Sequence, residues 1–283
     1  MFTPKIGLAL GGGGPKGLAH IGVIKILEKN NIPIDYIAGT SAGAMVGGMY
    51  AYSKNISSLE QHFVNKNWFQ MLSYFADPSL KGGFIQGNRM ESFLQEYLQS
   101  ATFDKLMIPF RATAVDLHSG KLSELHEGIV STAIRASCAI PMLFQPVEFN
   151  EHVYVDGGLL SSVPVQTVKK MGADIIIAVQ LNKYYEPGLA INTLNILEVG
   201  ELALNIVEKH IAEGEITKAD FIIHPKLAHV HWNNFIQQER RENGILLGEE
   251  AANESIIQIK IRVAENNITR TLNDWIKRIK KLF

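Results

Sequence analysis

The chain has 283 residues, 46% of them hydrophobic, and a formal net charge of -1. This length and composition fit one large α/β domain with a sizeable core, and the near-neutral balance argues against non-specific nucleic-acid binding, which needs a basic excess. A lone cysteine, Cys138, rules out an internal disulfide, and no base stands near it in sequence to make it a nucleophile. No window holds the roughly 18 apolar residues of a spanning helix, and the start lacks the pattern of a signal peptide. The expected location is cytoplasmic, with peripheral contact at a membrane left open.

In chain order, Ile6–Leu10 reads as a buried strand that runs into four glycines. A helix over 17–30 follows, with Leu18, Ile21, Ile24 and Leu27 at helical spacing. Residues 36–39 read as a second strand and Ala42–Tyr52 as a buried helix. Strand, turn, helix, strand, sharp turn, helix predicts a parallel sheet. Residues 56–80 look irregular and concentrate Trp68, Phe69, Met71, Leu72, Tyr74 and Phe75. They are expected to form either a lid or a core segment under a loop. Further on come a helix over 88–98, strands over 110–115, 153–155, 175–181 and 221–224, and helices over 127–137, 192–213, 247–265 and 270–283. The last of these sets Leu272, Trp275, Ile276, Ile279 and Leu282 against Lys277, Arg278, Lys280 and Lys281. That pattern fits an interfacial helix or one packed on the domain.

Three motifs carry chemistry. Gly39-Thr40-Ser41-Ala42-Gly43 is a G-x-S-x-G between a predicted strand and helix, the setting of a nucleophile elbow. The alternative is a plain glycine-flanked helix start capped by Thr40 or Ser41. Gly11 to Gly17, also between strand and helix, aims backbone N–H groups at one point and suits a phosphate or an oxyanion. Neither nucleotide signature is complete: the acid of a dinucleotide fold is missing from the end of the second strand, and Lys16 lies between Pro15 and Gly17 rather than before Ser or Thr. Asp156-Gly157-Gly158 follows the fourth of the clear strands; alone, it reads more readily as a turn.

Taken together, these motifs resemble the patatin-like phospholipase family. The resemblance rests on G-G-G-x-K/R-G at Gly12–Gly17, including Gly13, Gly14 and Lys16, on G-x-S-x-G at Gly39–Gly43, and on D-G-G at Asp156–Gly158, in the family's order. The apolar stretch Ala133–Pro141 and Asn182 also look like the family. The likeness covers about residues 5–182, with a helical C-terminal extension over about 190–283, and the whole chain is expected to form one domain. It implies a three-layer α/β/α fold with a mostly parallel central sheet and a helical C-terminal portion. It also implies a Ser–Asp dyad cleaving a lipid ester. Ser41 is then the nucleophile, Asp156 the base, and the N–H groups of Gly12, Gly13 and Gly14 the oxyanion hole. Lys16, Gly17, Gly39, Gly43, Gly157 and Gly158 support the motifs.

A carboxylate is a weaker base than imidazole, so such a dyad must be partly desolvated. No metal or cofactor is called for. Two rivals stand beside this reading. One is an α/β-hydrolase triad completed by His210, His224, His229 or His231. The other is a non-catalytic lipid- or anion-binding module on the same fold. The motifs are silent on headgroup, acyl length and self-association.

Overall fold

The computed structural model describes residues 4–66, 73, 77–79, 82–182, 196–227 and 237–280; at 196–198, 201 and 266–280 it describes the backbone alone. The opening is the expected βαβα unit: β1 (Ile6–Leu10), a 3-10 turn (Gly14–Leu18), α1 (Ala19–Lys29), β2 (Tyr36–Thr40) and α2 (Ala42–Ser53). Next come α3 (Ile56–Val64), β3 (Gly83–Ile85), α4 (Asn88–Leu98), β4 (Phe110–Asp116), β5 (Lys121–Leu125) and α5 (Val130–Ser137). After them follow β6 (Met142–Phe144), β7 (Val147–Phe149), β8 (His152–Asp156), α6 (Val165–Lys170) and β9 (Ile175–Val179). The described chain closes with α7 (Ile196–Ile216), β10 (Phe221–Ile223) and α8 (Gln238–Lys280).

The main sheet runs β10-β9-β1-β2-β4-β8-β7, with β5 also paired to β4. Strands β10, β9, β1, β2 and β4 are parallel, and β8 and β5 meet β4 antiparallel. Alternation sorts the strand side chains into two layers. Leu8, Leu10, Ile37, Ile175, Ile177 and Val179 face a core shared with α1 to α5 and α8. Ala9, Ala38, Ile176 and Ala178 face Val165 and Val168 of α6 and Ala212 of α7. Small residues on that second face let α6 lie close to the sheet. The result is three layers, α/β/α, around a mostly parallel sheet.

The chain leaves β1 for β2 on one side, while β9 pairs on its other side. The carboxyl end of β1 is therefore the point where strand order reverses, the usual place for a ligand in an open α/β sheet. The four glycines occupy it.

Several elements differ from the sequence reading. Residues 56–64, read as irregular, form α3: Ser58 N–H donates to the Asn55 side chain at 2.9 Å, and Ile56, Leu59 and Phe63 are buried on one face. The helix expected from residue 127 begins at Val130, because Gly128 has φ 79° and Ile129 is extended. The two C-terminal helices are one, α8, which packs against α1. Strands β3, β5, β6 and β7 are short or half-exposed and carry little periodicity to read. Of the aromatic stretch at 68–75, every aromatic lies outside the described residues, as do the side chains of Leu272, Trp275, Ile276, Ile279 and Leu282.

Candidate active site

The site is created by a change of partner along β4. Its first half pairs with β2, the last register pair being Thr40 with Thr113. Its second half pairs with β8, starting with Ala114 opposite Asp156. The carboxyl ends of β2 and β8, which approach from opposite directions, thus meet at residues 113 and 114. The residue after β2 is Ser41, and the last residue of β8 is Asp156. Thr40 Oγ1 bonds Thr113 Oγ1 at 2.7 Å and donates to Ser161 O at 2.8 Å, which knits the junction.

Ser41 is buried and has φ 52° and ψ -120°, a conformation that costs a non-glycine residue on the order of 1–3 kcal/mol. It sits just ahead of the N-terminus of α2, whose dipole favours nearby negative charge. The flanking glycines are steric necessities. A Cβ on Gly39 would stand 2.4 Å from Gly43 O, and one on Gly43 would stand 2.1 Å from Leu10 O.

The apolar stretch before Pro141 clamps both partners. Ser137, at the end of α5, accepts the Ser41 N–H on its Oγ at 2.8 Å, and Ala139 O accepts the Asp156 N–H at 3.0 Å. Cys138 lies between these two, buried; its surroundings and the Asp156 charge push the thiol pKa up, so it stays protonated.

The glycine loop lies against the elbow, the Cβ position of Gly12 being 3.5 Å from Ser41 Cβ, and Gly17 packs on Ala42. Two of its N–H groups are taken: Gly11 donates to Val179 O and Gly12 to Ser162 O, both at 3.0 Å. That removes Gly12 from the expected set of oxyanion donors. No hydrogen bond to a described residue engages the N–H of Gly13 or Gly14. His20 Nε2–H donates to Gly11 O at 2.8 Å, and burial lowers its pKa to about 4 against the opposing effect of that bond. It is thus a neutral brace for the loop. Lys16 Nζ donates to Asn182 Oδ1 at 3.3 Å.

Asp156 is also buried. Its Oδ1 accepts the Gly158 N–H at 2.8 Å, and Gly157 rests against Thr113. Its Oδ2 has no hydrogen bond of ordinary geometry, although the Ser41 hydroxyl is near enough to favour the charged form. Burial outweighs that help and the Gly158 N–H, so the carboxyl pKa is raised.

Glu208 of α7 completes the surroundings. Burial and the Asp156 charge raise its pKa, against the opposing pull of Lys16 and of Asn182. Nothing in the spacing of α7 flagged it; the motif-bearing segment ends well before it. Among the described residues no histidine bonds to Asp156: His152 pairs with Asp116 at 3.1 Å and His210 is exposed. His229 and His231 lie outside the described residues. The described residues assemble no group of three or more metal-binding side chains, and none of their helices is long and apolar enough to cross a membrane.

Comparisons with known proteins agree with this architecture. An uncharacterized NTE family protein of Mycobacterium tuberculosis is 35% identical over 183 residues, which are 64% of this chain and 50% of that protein. Lysophospholipase NTE1 of Debaryomyces hansenii is 33% identical over 186 residues, 64% of this chain and 12% of that one. The chain therefore spans about half the length of the mycobacterial relative and far less of the fungal one. VipD from Legionella pneumophila shares the fold, with a TM-score of 0.52 at 12% identity over 89% of this chain and 66% of that one. The profile of the patatin-like phospholipases matches residues 8–169, more than half of the sequence, and the chain belongs to that family.

Proposed function

We propose that the protein is a serine hydrolase that cleaves carboxylic esters of lipids through an acyl-enzyme. The observation that carries this reading is the partner change on β4, which sets a strained, buried Ser41 beside a buried Asp156 whose Oδ2 is unpartnered. Membership of a phospholipase family, with a relative named as a lysophospholipase, supports a lipid ester as the substrate class.

Ser41 Oγ attacks the ester carbonyl and its proton passes to Asp156 Oδ2. The carbonyl oxygen, now negative, takes hydrogen bonds from the N–H groups of Gly13 and Gly14. Gly12, already bonded to Ser162, holds the loop in shape instead. As the tetrahedral intermediate collapses, Asp156 returns the proton to the departing alcohol and the acyl group stays on Ser41. A water then attacks the acyl carbon, Asp156 takes its proton, and the carboxylic acid leaves as Ser41 regains a hydrogen. The raised pKa of Asp156 suits this work, since a carboxylate at its ordinary value is a feeble base at neutral pH.

The test is hydrolysis of p-nitrophenyl esters of graded chain length, and labelling by a fluorophosphonate, for wild type, Ser41→Ala and Asp156→Asn. Folding is checked by circular dichroism. Activity and labelling in wild type, with activity lost in both folded variants, is the expected result. An active Asp156→Asn beside a dead histidine variant would replace the dyad by a triad. A wild type inert to ester and probe alike would favour the binding module.

A further inference from the structure

A second carboxyl stands beside Asp156, contributed by a helix outside the motif-bearing segment. Glu208 is partly buried as a residue, with its carboxyl end enclosed. Its Oε2 accepts Asn182 Nδ2–H at 3.1 Å, and Asn182 Oδ1 in turn accepts Lys16 Nζ–H at 3.3 Å. The cation and the carboxyl fix which way the amide faces. Oε1 turns toward Gly158: a Cβ there would stand 2.6 Å from Glu208 Oε1 and 3.2 Å from Asp156 Oδ1. The two carboxyls therefore flank one glycine. The aim of α7 is set separately by Glu215, seven residues on and on the same face, which accepts Ser161 Oγ–H at 2.5 Å and Val163 N–H at 2.7 Å.

Two carboxyls buried this close hold one proton between them, because both charges together are too costly. Asp156 has the direct N–H of Gly158 and the Ser41 hydroxyl to favour its charge. Glu208 has one amide N–H, with Lys16 acting from beyond it. The charge settles on Asp156 and the proton on Glu208. Among the described residues, the charged or titratable groups acting on Glu208 are Asp156 from the end of β8 and Lys16 from the glycine-loop turn.

We propose that Glu208 is a positioning residue for the ester cleavage: its carboxyl shares a buried proton with Asp156 and, once ionised, drives the Ser41 proton onto Asp156. The idea rests on the Ser41–Asp156 mechanism. When Ser41 gives up its proton, negative charge leaves Asp156 for the oxyanion at the glycine loop. A charged Glu208, facing Asp156 across Gly158, favours that departure. Activity then climbs in two steps with pH, first as Asp156 ionises and again as Glu208 loses its proton to solvent.

The experiment compares kcat/KM against pH for wild type and E208Q, which keeps an oxygen for Asn182 but cannot ionise. The wild-type to E208Q ratio is expected to grow by about tenfold from acid to alkaline pH. A ratio that stays flat overturns the role. Thermal unfolding of the same pair reads the proton without any substrate. A carboxyl whose pKa is raised on folding stabilises the protein below its ordinary value, and loses that contribution as pH rises through the raised one. E208Q should therefore gain on wild type as pH climbs above 4.5, the ordinary glutamate value; parallel curves overturn the shared proton. If wild type hydrolyses no ester, the mechanism fails, yet the melting curves still decide whether the proton is held. Should E208Q not fold, Lys16→Met tests the same link. Losing the cation makes Glu208 keep its proton longer, so the second rise moves to higher pH, and an unmoved rise overturns the proposal.

Discussion

Ser41 and Asp156 meet at one point of β4, but different forces hold them there. Ser41 is held sterically: positive φ, a helix pressing from behind, and two glycines whose missing side chains leave room for Gly43 O and Leu10 O. Asp156 is held by hydrogen bonds, from its own N–H to Ala139 and from Gly158 to its Oδ1. Steric placement is all or nothing, because backbone atoms at van der Waals contact do not yield by degrees. Placement by hydrogen bonds is graded, and it also tunes charge. The side of Ser41, the proposed nucleophile, should therefore fail abruptly when altered, and that of Asp156, the proposed base, should shift.

The largest effect expected is on activity. Ser41→Ala should lower kcat by about 10⁴ or more, and Asp156→Asn by a similar order, if the two act as one unit. The double variant should then be no worse than either single one, and an additive loss would separate them. Stability sharpens the contrast. Ser41→Gly should be as inactive as Ser41→Ala yet melt higher, because glycine takes φ 52° without strain. Equal melting points would mean that the elbow stores no strain.

Next is Gly43→Ala. Its Cβ would meet the backbone oxygens of Leu10 and Gly11 at 2.1 and 2.8 Å, with no flexible side chain to move aside. Destabilisation of at least about 3 kcal/mol is expected in urea unfolding. A loss under about 1 kcal/mol would show that β1 and α2 separate more easily than the contact implies.

The loop brace gives a pH signature of similar size. His20 is buried and neutral with a pKa of about 4, against 6.5 when unfolded. The folded state therefore binds fewer protons than the unfolded chain between these values, and stability falls as pH drops through that window. The loss reaches about 3 kcal/mol near pH 4 and grows no further below it. His20→Gln does not titrate there. The difference between wild type and this variant in melting temperature, followed from pH 7 to pH 4, isolates the effect from the carboxyls that titrate nearby. A difference independent of pH would mean that the imidazole is not held neutral.

Much of the fold and the local patterns of the candidate site are legible in the sequence, for identifiable reasons. Strands β1 and β9 are unbroken apolar runs, and α4 repeats its buried face at Met90, Phe93, Leu94 and Leu98, so periodicity found them. Ser41, Asp156 and the glycine loop are local patterns and announce themselves. The partner change on β4 is a matter of register between distant strands, which no short motif encodes. Gly12 looked like an oxyanion donor because its loop context is right; its N–H is spent on Ser162, 150 positions away in sequence. Glu208 is one of many acidic residues on a helix, made special only by facing Gly158 and Asn182. Even α3 carries a signal in the sequence, an asparagine cap, Asn55, ahead of Ile56, Leu59 and Phe63 at helical spacing.

Ser137 joins the two modes of holding, and so it sharpens the comparison most finely. Its Oγ takes the N–H of Ser41, a bond that graded chemistry supplies to a residue otherwise fixed by sterics. Both groups are buried, so Ser137→Ala leaves a buried donor without a partner and should cost about 1–3 kcal/mol. If sterics alone fix Ser41, catalysis survives that loss nearly intact. If the hydrogen bond helps set the angle of the elbow, Oγ drifts from its line of attack, and kcat should fall by about tenfold, with KM little changed. Ser137→Thr, which retains the acceptor, restores the bond if its methyl group is accommodated, and recovery of kcat without recovery of stability would assign the effect to the elbow rather than to the fold. A Ser137→Ala enzyme that loses stability but keeps its full kcat would instead place Ser41 wholly under steric control.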